Sequence, residues 1–192
     1  AVEKITVEEG VTFLPYLVWN NDVLEEIILP STLTNAYFMN YATLEKYTVS
    51  PDNNVYCSVD GVVYSKDMKT LYAYPATKAG KFFAVPESVE VINEYAFSFI
   101  KNLRYLDMSS CAVTSIMTKA FNQMQSIAYI NLPETLKTIQ SNGFYRTWFS
   151  TVFIPSTVTT VDTAAFAKTD TDSYYRIPEF YTDSEAAKIK EF

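Results

Sequence analysis

"IAYINLPETLKTIQSNGF", residues 127–144, carries a fixed order of side chains. Ile127, Ile130 and Leu132 lead to Pro133; Leu136 and Ile139 follow; the unit closes on Phe144. The same order returns in "KFFAVPESVEVINEYAF", residues 81–97, and in "STVFIPSTVTTVDTAAF", residues 150–166. Residues 103–121 are a further copy, through Leu103, Leu106, Met108, Val113, Ile116, Ala120 and Phe121, with Ser109 at the proline position. Counted from Phe97 to Phe121, Phe144 and Phe166, the period runs 24, 23 and 22.

The spacing has a physical reading. Alternate apolar residues such as Ile130 and Leu132 point to one face of a short strand. Proline ends the strand, because it has no N–H for a ladder. The Leu136 and Ile139 step turns the chain and feeds the same interior. The Ala-Phe pair is expected in a loop or in one to three helical turns. One unit alone exposes its apolar face, so several must stack.

Upstream the pattern weakens but persists. Leu24, Ile27, Leu29, Pro30 and Leu33 fit, and that unit ends early near Phe38. Leu44, Tyr47 and Val49 fit the next; Ile5, Val7 and Val11 fit the first; Tyr175, Ile177 and Pro178 begin one more. A period of 20 to 29 with a short alternating run is the leucine-rich-repeat range. The expected fold class is therefore α/β: a right-handed leucine-rich-repeat solenoid of seven to eight rungs, with a parallel concave sheet, filling residues 1–192 as a single domain.

Asp60-Gly61, between two alternating runs, signals a β-hairpin. An insertion over about 51–80 is expected between the third and fourth rungs. Pro75 and Pro86 are 11 apart, so both cannot begin full repeats, and whether Leu71–Tyr74 or Phe82–Val85 takes the next place in the main sheet stays open. A C-terminal cap is expected over about 171–192, with Ser184 as the N-cap of a short helix.

The repeated "INLPETLKTIQSNGF" pattern resembles the BspA-like leucine-rich repeats of bacterial surface proteins. "NNVYCSVDGVVYSKDMKTLYAYPATK", residues 53–78, resembles an insertion found between such repeats. The resemblance covers roughly residues 5–178. It implies the ligand-binding part of a secreted or cell-surface bacterial protein, adhesin-like, with host-matrix or other cell-surface proteins as partners.

A parallel ladder turns the residues between the buried ones outward. The position before each apolar pair reads Lys4, Glu26, Lys46, Phe82, Tyr105, Tyr129, Thr151, Tyr174. The position inside each pair reads Thr6, Ile28, Thr48, Ala84, Asp107, Asn131, Phe153, Arg176. Phe82, Tyr105 and Tyr129 should sit side by side, with Phe153 extending them diagonally. The candidate binding residues are these four with Asp107, Asn131, Tyr174 and Arg176. Aromatic residues dominate interface hot spots. They also favour strands and stack along ladders, which would explain the same stripe by stability alone. In the first half of the row, Lys4, Glu26 and Lys46 alternate in charge and suit cross-strand pairing.

Composition narrows the chemistry. The 192 residues carry 22 acidic and 15 basic side chains, a net charge of −7. Phosphate backbones and anionic lipids should repel such a chain, so nucleic acid is not an expected partner. No apolar run approaches the roughly 18 residues of a membrane span, and membrane insertion is not expected. There is no histidine, which removes the commonest general base and metal ligand. Cys57 and Cys111 are too few for a disulfide framework and read as free, buried side chains. No nucleophile elbow or phosphate loop occurs. Glu8-Glu9 and Glu25-Glu26 read as surface charge, and Asp170 and Asp172 as a polar turn without the Gly and distal Glu of a calcium loop. Trp19 and Trp148 read as core or flank packing. No cofactor, metal or enzymatic activity is expected. Protein recognition through the concave sheet is the leading functional reading; a glycan-binding module and a ligand-free spacer are the alternatives.

Overall fold

The structure is a computed structural model and describes residues 2–15, 23–38, 43–148, 151–167 and 179–181. The chain winds through about seven turns of a β-solenoid. Turn one carries β1 (Lys4–Thr6) and β2 (Phe13–Leu14); turn two carries β3 (Glu26–Leu29) and β4 (Asn35–Ala36). Turn three opens with β5 (Lys46–Val49), makes an excursion through β6 (Tyr56–Val59) and β7 (Val62–Ser65), and returns as β8 (Thr70–Ala73). Turns four to six carry β9 (Phe82–Ala84) and β10 (Val91–Ile92), β11 (Tyr105–Asp107) and β12 (Ser115–Ile116), and β13 (Tyr129–Asn131) and β14 (Thr138–Ile139). Turn seven has β15 (Thr151–Phe153) and β16 (Thr160–Val161), and β17 (Glu179–Tyr181) follows.

The first strand of each turn builds one face. β1, β3 and β5 form one parallel ladder, β9, β11 and β13 a second, and β15 pairs with β17. The second strands build another face, in the order β16-β14-β12-β10-β8, parallel throughout. β2 and β4 pair separately.

The open question about the third turn has a definite answer. Phe82–Ala84 takes the place in the first face beside β11, while Thr70–Ala73 lies in the second face beside β10. Pro75 closes turn three and Pro86 belongs to turn four, which is why they stand so close. The excursion thus lies inside the third turn, not between the third and fourth. β6 and β7 pair antiparallel around Asp60 and Gly61, with φ of 49° and 79°. Positive φ at both positions is the type I′ pattern that Asp-Gly favours. The Gly61 carbonyl accepts the Tyr47 N–H at 3.0 Å, so the hairpin tip docks on the edge of β5.

The expected α/β class needs correction: among the described residues there is no helix. The stretch around each closing Phe is a run of turns. Tyr95, Lys119 and Asn142 lie two residues before Phe97, Phe121 and Phe144 and have φ of 60°, 57° and 58°. Phe99, Gln123 and Arg146 lie two residues after, with φ of 61°, 56° and 53°. Left-handed residues on both sides break any right-handed helix. They fold the chain sharply enough to drive each Phe inward.

The Phe side chains form a spine. Tyr74, Phe97, Phe121, Phe144 and Phe166 stack successively, with centroids 5.3, 5.3, 5.0 and 5.1 Å apart and ring planes 22°, 20°, 10° and 4° from parallel. Tyr74, Phe97, Phe121 and Phe144 are fully buried. Two core clusters result. The larger runs from Val62 to Ala165, and the smaller holds Leu24, Ile27, Leu29, Leu33, Phe38, Leu44, Tyr47 and Val49 together with Tyr56, Val63 and Ala73. β7 and β8 lie between them: Val62, Tyr64 and Leu71 belong to the larger, Val63 and Ala73 to the smaller.

Other expectations resolve individually. Asn53, in the stretch "SPDNN" (residues 50–54) whose composition is that of a turn, is fully buried. Its amide donates to the carbonyls of Pro30 (2.8 Å) and Leu33 (2.9 Å), and its oxygen accepts the N–H groups of Val55 (2.8 Å) and Tyr56 (2.7 Å). Both cysteines are free; Cys111 is buried, but Cys57 is only part-buried, on a hairpin strand with one open face. Trp148 is 47% exposed, so it is not a core residue; it follows the last turn of the sixth repeat, where the chain is leaving the core. Trp19, Asp170, Asp172, Tyr174, Arg176 and the expected cap over about 171–192, apart from the strand Glu179–Tyr181, lie outside the described residues.

Candidate functional site

The outward row on the first face is built by register. Tyr105 pairs with Phe82 on one side and Tyr129 on the other. Asp107 pairs in the same way with Ala84 and Asn131. Leu106 and Ile130, between them, are buried. Adjacent strands lie about 4.8 Å apart, so the three rings follow one another across the sheet. Phe82 is 63% exposed and Tyr105 50%, large for apolar side chains on a folded face. Tyr129 is half-buried, and its ring lies 6.0 Å from that of Phe153, tilted by 59°. The structure therefore brings together Phe82, Tyr105, Tyr129, Phe153, Asp107 and Asn131.

It does not extend the row as the sequence suggested. The strand beside β15 is Glu179–Tyr181, which sets Glu179 opposite Thr151 and Tyr181 opposite Phe153. The places expected for Tyr174 and Arg176 are thus taken by residues five positions later. "YRIP" mimics the repeat's strand-then-proline ending, and proline position alone cannot tell which neighbouring triplet pairs.

The electrostatics centre on Asp107. Its carboxylate accepts the Ser109 N–H and the Asn131 side-chain amide, each at 3.0 Å. The Ser109 backbone bond, with help from the Ser109 side chain and Asn131, holds its pKa below the ordinary Asp value. Asp107 therefore presents a fixed negative charge beside the aromatic row. Burial, and secondarily that charge, pushes the Tyr129 hydroxyl upward, so it stays a neutral donor. Lys81 and Arg104 precede Phe82 and Tyr105 and are exposed at the rim. Sequence reasoning passed over them because it scored only the alternating positions; the residue directly before each strand was the available signal.

The other half of this face is polar. Glu26 lies between Lys4 and Lys46, at 3.2 and 3.4 Å, and accepts the Thr48 hydroxyl at 2.7 Å. The docked hairpin tip separates this charged ladder from the aromatic one. Among the described residues no three His, Cys, Asp or Glu side chains converge so as to hold a metal ion. Nor is any helix there long and apolar enough to cross a membrane.

Known proteins supply the context. None of the curated proteins matches the chain. Three solved structures share its fold, each at 19% identity. A leucine-rich repeat protein from Eubacterium ventriosum superposes with a TM-score of 0.50 over 90% of this chain and 67% of its own. The pneumococcal vaccine antigen PcpA gives 0.58 over 98% of this chain and 56% of its own. A leucine rich cell surface protein from Faecalibacterium prausnitzii gives 0.57 over 97% and 62%. The chain thus spans little more than half the length of the latter two. The model of the BspA type leucine rich repeat region matches six copies over residues 55–173, more than half the chain. The chain belongs to the BspA-type leucine-rich-repeat family.

Proposed function

We propose that the first face is a protein-recognition surface, centred on Phe82, Tyr105, Tyr129 and Phe153, in a bacterial protein displayed at the cell surface. The observation that carries this reading is the exposure of Phe82 and Tyr105 in adjacent register. A sheet that needed aromatics only for stability would bury them; these offer rigid apolar area to solvent. Asp107 adds a fixed anionic acceptor next to the rings. The favoured partner surface is therefore apolar with a Lys or Arg at its centre, because a charged acceptor inside a desolvated hot spot selects its opposite. Surface display rests on family membership and on the cell surface protein and vaccine antigen among the structural neighbours.

The test is a binding screen of the purified chain against extracellular matrix proteins at physiological salt. A saturable interaction is expected. Tyr105→Ser with Tyr129→Ser should weaken it by at least about a hundredfold, roughly 2.7 kcal/mol, while circular dichroism stays unchanged. Retained affinity in that folded double variant removes the first face from the binding surface.

A further inference from the structure

A second candidate site is lined by residues of the second to fifth turns. It is a cleft of about 510 Å³, between β4 and the turn that follows β10. That volume falls within the roughly 300–1,000 Å³ of small-ligand pockets. The cleft arises where the excursion of turn three interrupts the regular stacking, so β2 and β4 pair apart from the main second face.

Its floor is aromatic and rigid. Phe38 and Tyr56 are buried and meet edge to face at 5.2 Å. Tyr72 packs on both, at 5.5 and 5.2 Å. Tyr37 stands at the rim, 64% exposed, edge-on to the exposed Phe13 at 5.9 Å. Across the opening, the left-handed turn holds Tyr95, whose ring carries the Lys119 ammonium 5.5 Å from its centroid. The polar lining is Asn35, Asn93 and Glu94. Among the described residues these three side chains take no hydrogen-bond or ion-pair partner.

The lining sets the ligand chemistry. Among the described residues Glu94 is the one charged residue of the lining, and the chain as a whole carries −7, so an anion is disfavoured. Two unpaired amides each offer donors and an acceptor, and Glu94 adds an acceptor. They suit a ligand dense in hydroxyl groups, each both donor and acceptor. The tyrosine rings suit a ligand that also has flat apolar C–H faces. A neutral pyranose combines both properties. We propose that this cleft is a binding site for a neutral saccharide, separate from the aromatic row on the first face.

The test uses the intact 192-residue chain. Lactose, maltose, cellobiose and chitobiose are titrated up to about 20 mM, well beyond the roughly 1 mM of weak binding, while amide shifts are followed by NMR. Saturable shifts centred on residues 35–37 and 93–95 are expected for at least one of them. Tyr95→Ala should weaken that binding about tenfold or more, and Tyr105→Ser with Tyr129→Ser should leave it unchanged. Should Tyr95→Ala unfold, Asn35→Ala and Glu94→Gln, both at exposed positions, carry the same expectation. The proposal is overturned by no saturable shift with any of these sugars, or by binding that survives the cleft variants. It is equally overturned if a proline-rich peptide binds the cleft and the sugars do not.

Discussion

Glu26 shows how much one side chain can depend on register. Its side chain is 14% exposed, accepts the Thr48 hydroxyl, and lies between two lysines that are themselves 55% exposed. The Thr48 bond first, and the lysines after it, hold its pKa below the ordinary value of 4.5. A depressed carboxyl stabilises the fold above its unfolded pKa, and that contribution is lost as pH falls through the folded value. Exposed lysines contribute modestly, so Glu26→Gln is expected to cost about 1 kcal/mol at pH 7. The deficit should shrink as pH falls through the depressed folded-state value, where wild type becomes protonated too. Urea midpoints at pH 7 and pH 3 test this, and a deficit constant with pH would exclude the carboxylate as its source. The charge alternation was legible in the sequence because repeat spacing fixes the register. Asn53 was not: "SPDNN" has turn composition, and nothing local reveals that its amide reaches carbonyls 20 and 23 residues upstream.

At the scale of elements, the hairpin is held by a contact only glycine allows. A Cβ on Gly61 would meet the Lys46 Cβ at 2.8 Å and its Cα at 3.3 Å, and φ is +79° besides. The Lys46 backbone is paired with β3 and cannot retreat. Gly61→Ala is expected to destabilise by about 2 kcal/mol or more, from overpacking and backbone strain together. It should also expose the Tyr47 amide, now bonded to the Gly61 carbonyl, to hydrogen exchange. Unchanged Tyr47 protection in the variant would show that the tip is not needed on β5. Asp60-Gly61 announced this turn, because type I′ geometry is local. Its docking partner was hidden, being a contact between residues far apart in sequence. The absence of helix was hidden for a related reason. Left-handed φ at Tyr95, Lys119 and Gln123, none of them glycine, is imposed by packing the Phe between them, and no composition signal marks it. The register of Phe82, Tyr105 and Tyr129 was readable where the repeat is regular; past β15, where the pairing strand begins only at Glu179, spacing did not reveal which residues pair.

Across the described residues the two cores meet at β7 and β8, and each turn leans chiefly on its neighbours. Stability in such a stack is close to a sum of unit and interface terms, so damage should stay near its origin. Phe121 is the sharpest probe. It is fully buried and stacks on Phe97 at 5.3 Å and on Phe144 at 5.0 Å, so its loss opens two interfaces of the spine at once. Phe121→Ala is expected to cost about 3–5 kcal/mol. Hydrogen exchange should show where that cost falls. Amides of β11 to β14 should lose protection most, while β3 and β5, in the smaller core, keep theirs, because the cores meet at β7 and β8, whose residues Val63 and Tyr64, and Leu71 and Ala73, belong to opposite clusters. Equal loss in β3 and β5 would mean that β7 and β8 couple the cores into one cooperative unit. The hairpin would then unite the two cores instead of separating them.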